Sequence, residues 1–383
     1  MSVKDIVKKH EEWRNRCLNL IASENVMSDE VRTLLTSDLG HRYSLRHYID
    51  DNFYRGTKYI EELLNYGEAL ACKLFHVKYS DLKPISGHIA GLSTLMFLTN
   101  YGDSILTLDI ESGGYPGYTK GYLPNRLGLN VDYIKCNNGE LDLDGIDVNK
   151  YKAVIIAPSL VTFPPRIEKL SKLCKDNGIP FVYDVSHILG LIAGNAIKVP
   201  DDIDIMLGST HKSFPGPQGG IILMNRYEDL SDFITLRTVD NPHYNRIAAL
   251  ILAMEEMSEF GKAYAEQIVK NSKTLARSLD EKGIEVLGRE LDYTETHQIL
   301  LKQFDNAKEF IYKLEEANII IDNGLRLGTS EVTRRGMKEN EMKHIAELIY
   351  KVYDDADIST VRKEIEGLAS TFNAIHFTFT VSS

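Results

Sequence analysis

What most limits the architecture open to this chain is a series of short apolar runs with little polar alternation. Asp103 to Asp109 (DSILTLD), Val131 to Cys136, Lys152 to Pro158 (KAVIIAP), Ile179 to Val185 (IPFVYDV), Asp202 to Gly208 (DIDIMLG) and Gly220 to Asn225 all have strand length. A strand wetted on one face alternates apolar with polar residues, whereas a continuous apolar run suits a strand covered on both faces. Helical patterns separate them. Pro165 to Asn177 places Ile167, Leu170, Leu173 and Cys174 at helical spacing and stops at Gly178. Ile60 to Phe75 is amphipathic, with Ile60, Leu63, Leu64, Ala71 and Leu74 on one side. The alternation implies a mostly parallel α/β sheet over roughly the first 260 residues, then a long helical stretch (Arg246 to Leu279) and an α+β tail.

Charge narrows the range of partners. The 383 residues carry 44 Lys and Arg against 55 Asp and Glu, a formal net charge of −11. Affinity for nucleic acid or an anionic membrane comes from neutralising phosphates with cations, so this balance argues against both. The longest mainly apolar stretches, such as Ile89 to Leu98 and Ile188 to Ala193, are far too short to span a bilayer. Met1 to Glu12 is charged and lacks the apolar region of a secretory leader, so the expected location is cytoplasmic. Cys17, Cys72, Cys136 and Cys174 are spaced by 55, 64 and 38 residues, without a paired metal or redox motif. They read as ordinary thiols, and no metal site is expected.

In open α/β sheets, ligands sit beyond the carboxyl ends of the strands. Three loops there carry chemistry. Asp184 follows Ile179 to Tyr183, with His187 three residues on. Ser209-Thr210-His211-Lys212-Ser213 follows the next run, succeeded by Pro215-Gly216-Pro217-Gln218-Gly219-Gly220. Lys212 comes 28 residues after Asp184, about one further strand-helix-strand step. A carboxylate and a lysine on adjacent strand ends suit pyridoxal phosphate, which needs an amine to bond its aldehyde and an anion to keep its ring nitrogen protonated. The same two residues also suit a solvated lysine and a helix-capping aspartate, so spacing alone leaves both readings open. The third loop, Pro84-Ile85-Ser86-Gly87-His88, precedes a helix-like run; a Ser-Gly start offers a hydroxyl and backbone N–H groups to an anion, or serves as a plain cap.

Taken together, several blocks resemble one family. Leu20-Ile21-Ala22-Ser23-Glu24-Asn25, Ser86-Gly87, Asp184 to Gly190, and Ser209-Thr210-His211-Lys212 with Gly216-Pro217-Gln218-Gly219-Gly220 occur in order. Arg326-Leu327-Gly328-Thr329 and Thr333-Arg334-Arg335-Gly336 complete the series. The chain is similar over nearly its whole length to the serine hydroxymethyltransferases, particularly their archaeal branch. That resemblance implies the aspartate-aminotransferase fold of pyridoxal-phosphate enzymes. It divides the chain into an N-terminal arm (1–30), a cofactor-binding large domain (31–260) and a small α+β domain (261–383). Lys212 would carry the cofactor, Asp184 would pair with its ring nitrogen, and His187 and Ser159 would lie near its phenolic oxygen. Thr210 and His211 would flank the lysine, Ser86, Gly87 and His88 would form the phosphate loop, and Tyr115 would take the ring-stacking place. Arg326 would grip the substrate carboxylate with help from Ser23, a planar guanidinium matching a carboxylate in a two-bond fork. Tyr54, in Phe53-Tyr54-Arg55-Gly56, aligns with a tyrosine that enters the site from the partner subunit, which implies a homodimer with shared sites.

Three departures from the family pattern matter. A family glutamate that works as acid or base on the hydroxymethyl group and the pterin falls here on Leu45, in Arg42-Tyr43-Ser44-Leu45-Arg46-His47, with no carboxylate until Asp50 and Asp51. Losing a positioned acid or base costs a factor of about a hundred to ten thousand. An Asn- and Pro-rich insertion that touches the pterin is missing, since Ala317-Asn318-Ile319-Ile320-Ile321-Asp322-Asn323-Gly324 runs almost directly into Arg326. Tyr115 replaces a ring-stacking histidine, and His88 replaces a phosphate-loop serine. The losses fall on groups that serve a folate- or methanopterin-type tetrahydropterin. The expectation is an enzyme that cleaves or forms the Cα–Cβ bond between a serine- or threonine-type amino acid and glycine, with weak or absent pterin dependence. Alternatives are another pyridoxal-phosphate enzyme on a small amino acid (racemase, transaminase or biosynthetic variant) or a non-catalytic relative.

Overall fold

The computed structural model describes residues 2–46, 52–201 and 203–381. Its central sheet has seven strands. In chain order these are β1 (Tyr79–Asp81), β2 (Ser104–Leu108), β3 (Asn130–Ile134), β4 (Ala153–Ile156), β5 (Phe181–Asp184), β6 (Ile205–Ser209) and β7 (Gly220–Met224). Across the sheet they run β1-β7-β6-β5-β4-β2-β3. The β2–β6 strands pair in parallel, and β7 is antiparallel to both β6 and β1. Every residue of β4, β5, β6 and β7 is buried. That is why their sequences lack alternation: helices cover both faces.

The helices that matter for the site are α1 (Lys58–Phe75), α2 (Gly87–Leu98), α3 (Glu168–Asp176) and α4 (Tyr244–Glu281). The expected amphipathic stretches lie in α1 and α3. Two details differ from the sequence reading. Cys136 is not in β3 but in a separate two-residue strand paired with Leu141. The strand β1 has no apolar signature, because three residues of an edge strand need only register with β7.

A second, smaller core forms around Leu275, Ala276, Leu279, Ile299, Leu314, Leu327 and Ile345. The helix α4, 38 residues long, serves both cores: residues from Tyr244 to Ile268 pack into the large one, and Leu275 onward into the small one. Residue 260 therefore falls inside a continuous helix. The N-terminal segment is also built in, with Leu18 and Leu20 packed in the smaller core and Leu18–Asn19 paired in parallel with Ile319–Ile320. Gln298–Leu300 and Arg326–Gly328 form an antiparallel pair in the small unit, which turns Gln298 and Arg326 toward the carboxyl ends of the large sheet. Among the described residues, no helix is long and apolar enough to cross a membrane.

Candidate active site

At the carboxyl ends of β4, β5 and β6, one cavity is lined by Ser86, Gly87, His88, Tyr115, Ser159, Asp184, Ser186, His187, Ser209 and Lys212, with Pro158. Asp184 closes β5 and is only 6% exposed. Its Oδ1 accepts from the Ser186 backbone N–H at 3.0 Å and the Ser186 hydroxyl at 2.5 Å, and its Oδ2 accepts from the Tyr118 hydroxyl at 3.2 Å. All three donors are neutral, so the charge of this carboxylate is solvated but not cancelled. Burial pushes its pKa up, against the pull of Ser186 and Lys212. A cationic ring nitrogen beside it would relieve both problems.

Lys212 faces the same space. Burial drives its amine down to about 8, with Asp184 opposing and Arg326 adding to the fall. The histidines are held neutral. Burial, and then the charge of Lys212, puts His187 well below its ordinary range and His211 at about 4. Burial likewise takes His297 to about 3. Gln298 fixes the His187 tautomer. Its Oε1 accepts from Val161 N–H at 2.9 Å and its Nε2 donates to the Ser159 carbonyl at 3.1 Å, so Nε2 also donates to His187 Nδ1 at 2.9 Å. The proton of the neutral ring then sits on Nε2.

The phosphate end is a close backbone cradle. Ser86 caps α2, its Oγ accepting from Ile89 N–H at 3.1 Å. A Cβ added at Gly87 would lie 2.4 Å from Ser209 Oγ, and one at Gly220 would lie 2.3 Å from the Ser86 carbonyl. The exposed helix start and its dipole favour an anion there. Buried anion, partly neutral lysine and open helix N-terminus together fit pyridoxal phosphate. Gly87→Ala is expected to displace Ser209 and weaken phosphate retention by on the order of tenfold. Equilibrium dialysis of the cofactor measures it, and unchanged retention would remove Gly87 from the cradle.

Comparison with known proteins bears directly on this arrangement. The model of the serine hydroxymethyltransferase family matches residues 1–349. The chain belongs to that family. It is 36% identical over 401 aligned residues to the serine hydroxymethyltransferase of Methanobrevibacter smithii, covering 98% of this chain and 94% of the relative. It is 37% identical over 406 residues to that of Methanopyrus kandleri, covering 99% and 95%. A solved L-threonine transaldolase from Pseudomonas fluorescens superposes with a TM-score of 0.91 at 26% identity, covering 98% of this chain and 93% of that chain. The family implies pyridoxal phosphate as cofactor, and this serine hydroxymethyltransferase relative is accordingly a pyridoxal-phosphate enzyme of the expected fold.

Most of the residues expected at the cofactor converge; some do not. Ser86, Gly87, His88, Tyr115, Ser159, Asp184, His187 and Lys212 line the cavity together. The Tyr115 hydroxyl and His88 Nδ1 are 3.2 Å apart, so the two substituted positions answer each other. Thr210 is not brought to the cavity. It is fully buried, its hydroxyl donates to the Pro217 carbonyl at 2.6 Å, and it braces the following Pro-Gly loop; Ser209 faces the ligand space instead. Ser23 and His211 line a neighbouring cavity with Arg14, Glu24 and Arg335. Arg326 stands against the Ser159 wall, Nη1 donating to that carbonyl at 3.0 Å.

Leu45 and Tyr54 do not line this cavity. Asn52 Oδ1 accepts from both Leu45 N–H and Tyr54 N–H at 3.1 Å, holding the two backbones close together. Tyr54 is 37% exposed and meets Tyr43 in a tilted contact and Phe53 edge-on, at centroid distances of 5.5 and 5.1 Å. His47, Asp50 and Asp51 lie outside the described residues. The sequence reading missed Ser186, Ser209, Tyr118 and Gln298. For Gln298 a signal existed: Thr294-Glu295-Thr296-His297-Gln298 is a polar run directly before an apolar strand, and all but Glu295 are fully buried.

Proposed function

We propose that this enzyme cleaves a serine- or threonine-type β-hydroxy-α-amino acid to glycine and an aldehyde, and runs the reverse addition, without requiring a tetrahydropterin. The observation that carries the reading is a contrast. Groups suited to the cofactor share one cavity and Arg326 stands on its Ser159 wall, while the position of the family acid/base holds Leu45. When bound, the cofactor supplies an electron sink for the pair left at Cα.

The residues divide the work. Arg326 holds the α-carboxylate. Lys212, with its amine at about 8, would deliver a proton to Cα in the cleavage direction and take one from Cα of glycine in the addition direction. Asp184 would hold the positive charge of the ring nitrogen, and neutral His187 would offer Nε2–H as a donor without adding charge. As the Cα–Cβ bond breaks, the β-hydroxyl gives its proton to water and the aldehyde leaves; protonation of Cα then yields glycine. The likeness to a threonine transaldolase supports a second outcome at the same site, in which another aldehyde captures the glycyl unit before release.

The exposed Tyr43, Phe53 and Tyr54 form an aromatic cluster of the kind that a second subunit covers. In this reading the protein is a cytoplasmic homodimer and Tyr54 completes the partner's site. Incubation with L-serine, L-threonine and L-allo-threonine, with and without tetrahydropterin, tests the proposal. The expected result is glycine and acetaldehyde from a threonine isomer without pterin. Serine turnover that strictly requires the pterin rejects it.

A further inference from the structure

The run ahead of Arg326 does more than omit an insertion: it delivers a carboxylate. Asp322 Oδ2 accepts from Arg326 Nε at 2.7 Å. Asp322 Oδ1 accepts from the backbone N–H of Gly324 at 2.9 Å and of Arg326 at 3.3 Å, which sets the carboxylate in a local turn. Both side chains are sheltered, at 13% exposure for Arg326 and 25% for Asp322. On its other side the guanidinium donates Nη1 to the Ser159 carbonyl at 3.0 Å.

A guanidinium has five N–H donors in one plane. Two are committed here, one at Nε and one at Nη1. One N–H at Nη1 and both at Nη2 remain, and one from each terminal nitrogen makes the end-on fork that takes a carboxylate. We propose that Asp322 is a positioning residue for the substrate: it occupies the Nε edge of Arg326 and, with the Ser159 carbonyl, fixes the plane of the guanidinium so that the Nη1–Nη2 edge meets the α-carboxylate. This rests on the reading of Arg326 as the carboxylate site. Two effects of Asp322 have opposite signs. Its charge subtracts from the attraction that an incoming carboxylate feels, while its tether removes the rotamer freedom that an untethered arginine would lose on binding. Local screening weakens the first for a partly solvated pair. The second acts on every binding event, so the tether prevails.

The test uses holoenzyme of the wild type, Asp322→Ala, Asp322→Asn and Arg326→Ala, with glycine and glycinamide titrated by calorimetry and substrate kinetics run in parallel. Asp322→Ala is expected to raise the glycine Kd and the substrate KM about tenfold, the worth of one charge-assisted hydrogen bond. Glycinamide affinity and kcat should stay within about twofold, inside the spread of surface effects. Asp322→Asn, which keeps an acceptor oxygen, should recover most of the loss. A structural defect would weaken both ligands alike and overturn the proposal. Tighter glycine binding by either Asp322 variant would show that the carboxylate competes with substrate, and would also overturn it. If Arg326→Ala leaves glycine affinity intact, the carboxylate site lies elsewhere and the tether falls with it. If Arg326→Ala abolishes binding but Asp322→Ala changes nothing, the tether alone is wrong.

Discussion

Lys212→Ala should yield a folded protein that no longer holds pyridoxal phosphate covalently and whose turnover falls at least about a thousandfold, as when a covalent catalyst is deleted. The wild-type amine also has a distinctive pH dependence. An amine bonds an aldehyde only in its neutral form, which exists above its pKa. With Lys212 at about 8 rather than the usual 10.5, about one molecule in ten is ready at pH 7, against about one in three thousand for an unperturbed lysine. Cofactor capture by the apoprotein should therefore rise through pH 8 and level off, whereas an ordinary lysine would still be gaining at pH 10. Stopped-flow absorbance follows this directly, and mass spectrometry after borohydride reduction locates the adduct. A reduced adduct on Lys212→Ala protein, or capture that keeps climbing past pH 9, would show that another amine does the work.

The second large effect lies away from the cavity. Arg334 and Glu256 form an ion pair in which both side chains are 0% exposed. Arg334 Nη2 donates to Glu256 Oε2 at 2.5 Å, and Arg334 Nη1 donates to the Phe377 carbonyl at 2.5 Å. Glu256 Oε1 accepts from the Thr378 hydroxyl at 2.5 Å. One pair thus ties α4 to the Ser330–Arg334 helix and pins the segment around residues 376–378 over both. Glu256→Gln leaves a buried guanidinium without its counter-charge, and the cost should be about 3–5 kcal/mol. Replacing both partners, as Glu256→Leu with Arg334→Met, should restore much of that loss because no charge is then left stranded. Urea midpoints at constant slope measure both variants. A Glu256→Gln curve that overlays the wild type would mean the pair contributes no net stability.

The large sheet was legible because strands covered on both faces must be apolar throughout, and KAVIIAP and IPFVYDV obey that rule. The three residues of β1 carry no such obligation and left no trace. Asp184 and Lys212 were legible as chemistry at strand ends, and the family blocks sharpened their roles. Thr210 against Ser209 was not legible, since a strand presents successive side chains to opposite faces and a shift of one residue exchanges them. Tyr118 and Gln298 act through partners 66 and 111 residues away in sequence, and only the folded chain brings such groups together. The Asp322–Arg326 contact spans four residues, yet its meaning depends on Ser159, which reaches the guanidinium from the other unit.

Because one uninterrupted helix supplies side chains to both hydrophobic interiors, neither half of this protein is a detachable module. A break anywhere between Ile268 and Leu275 would strip each interior of one of its walls. Any movement of one half against the other must bend that rod or shift the lighter contacts around it. The Arg326 side and the Ser159 side of the proposed site thus hang from one common beam, which limits how far they can part.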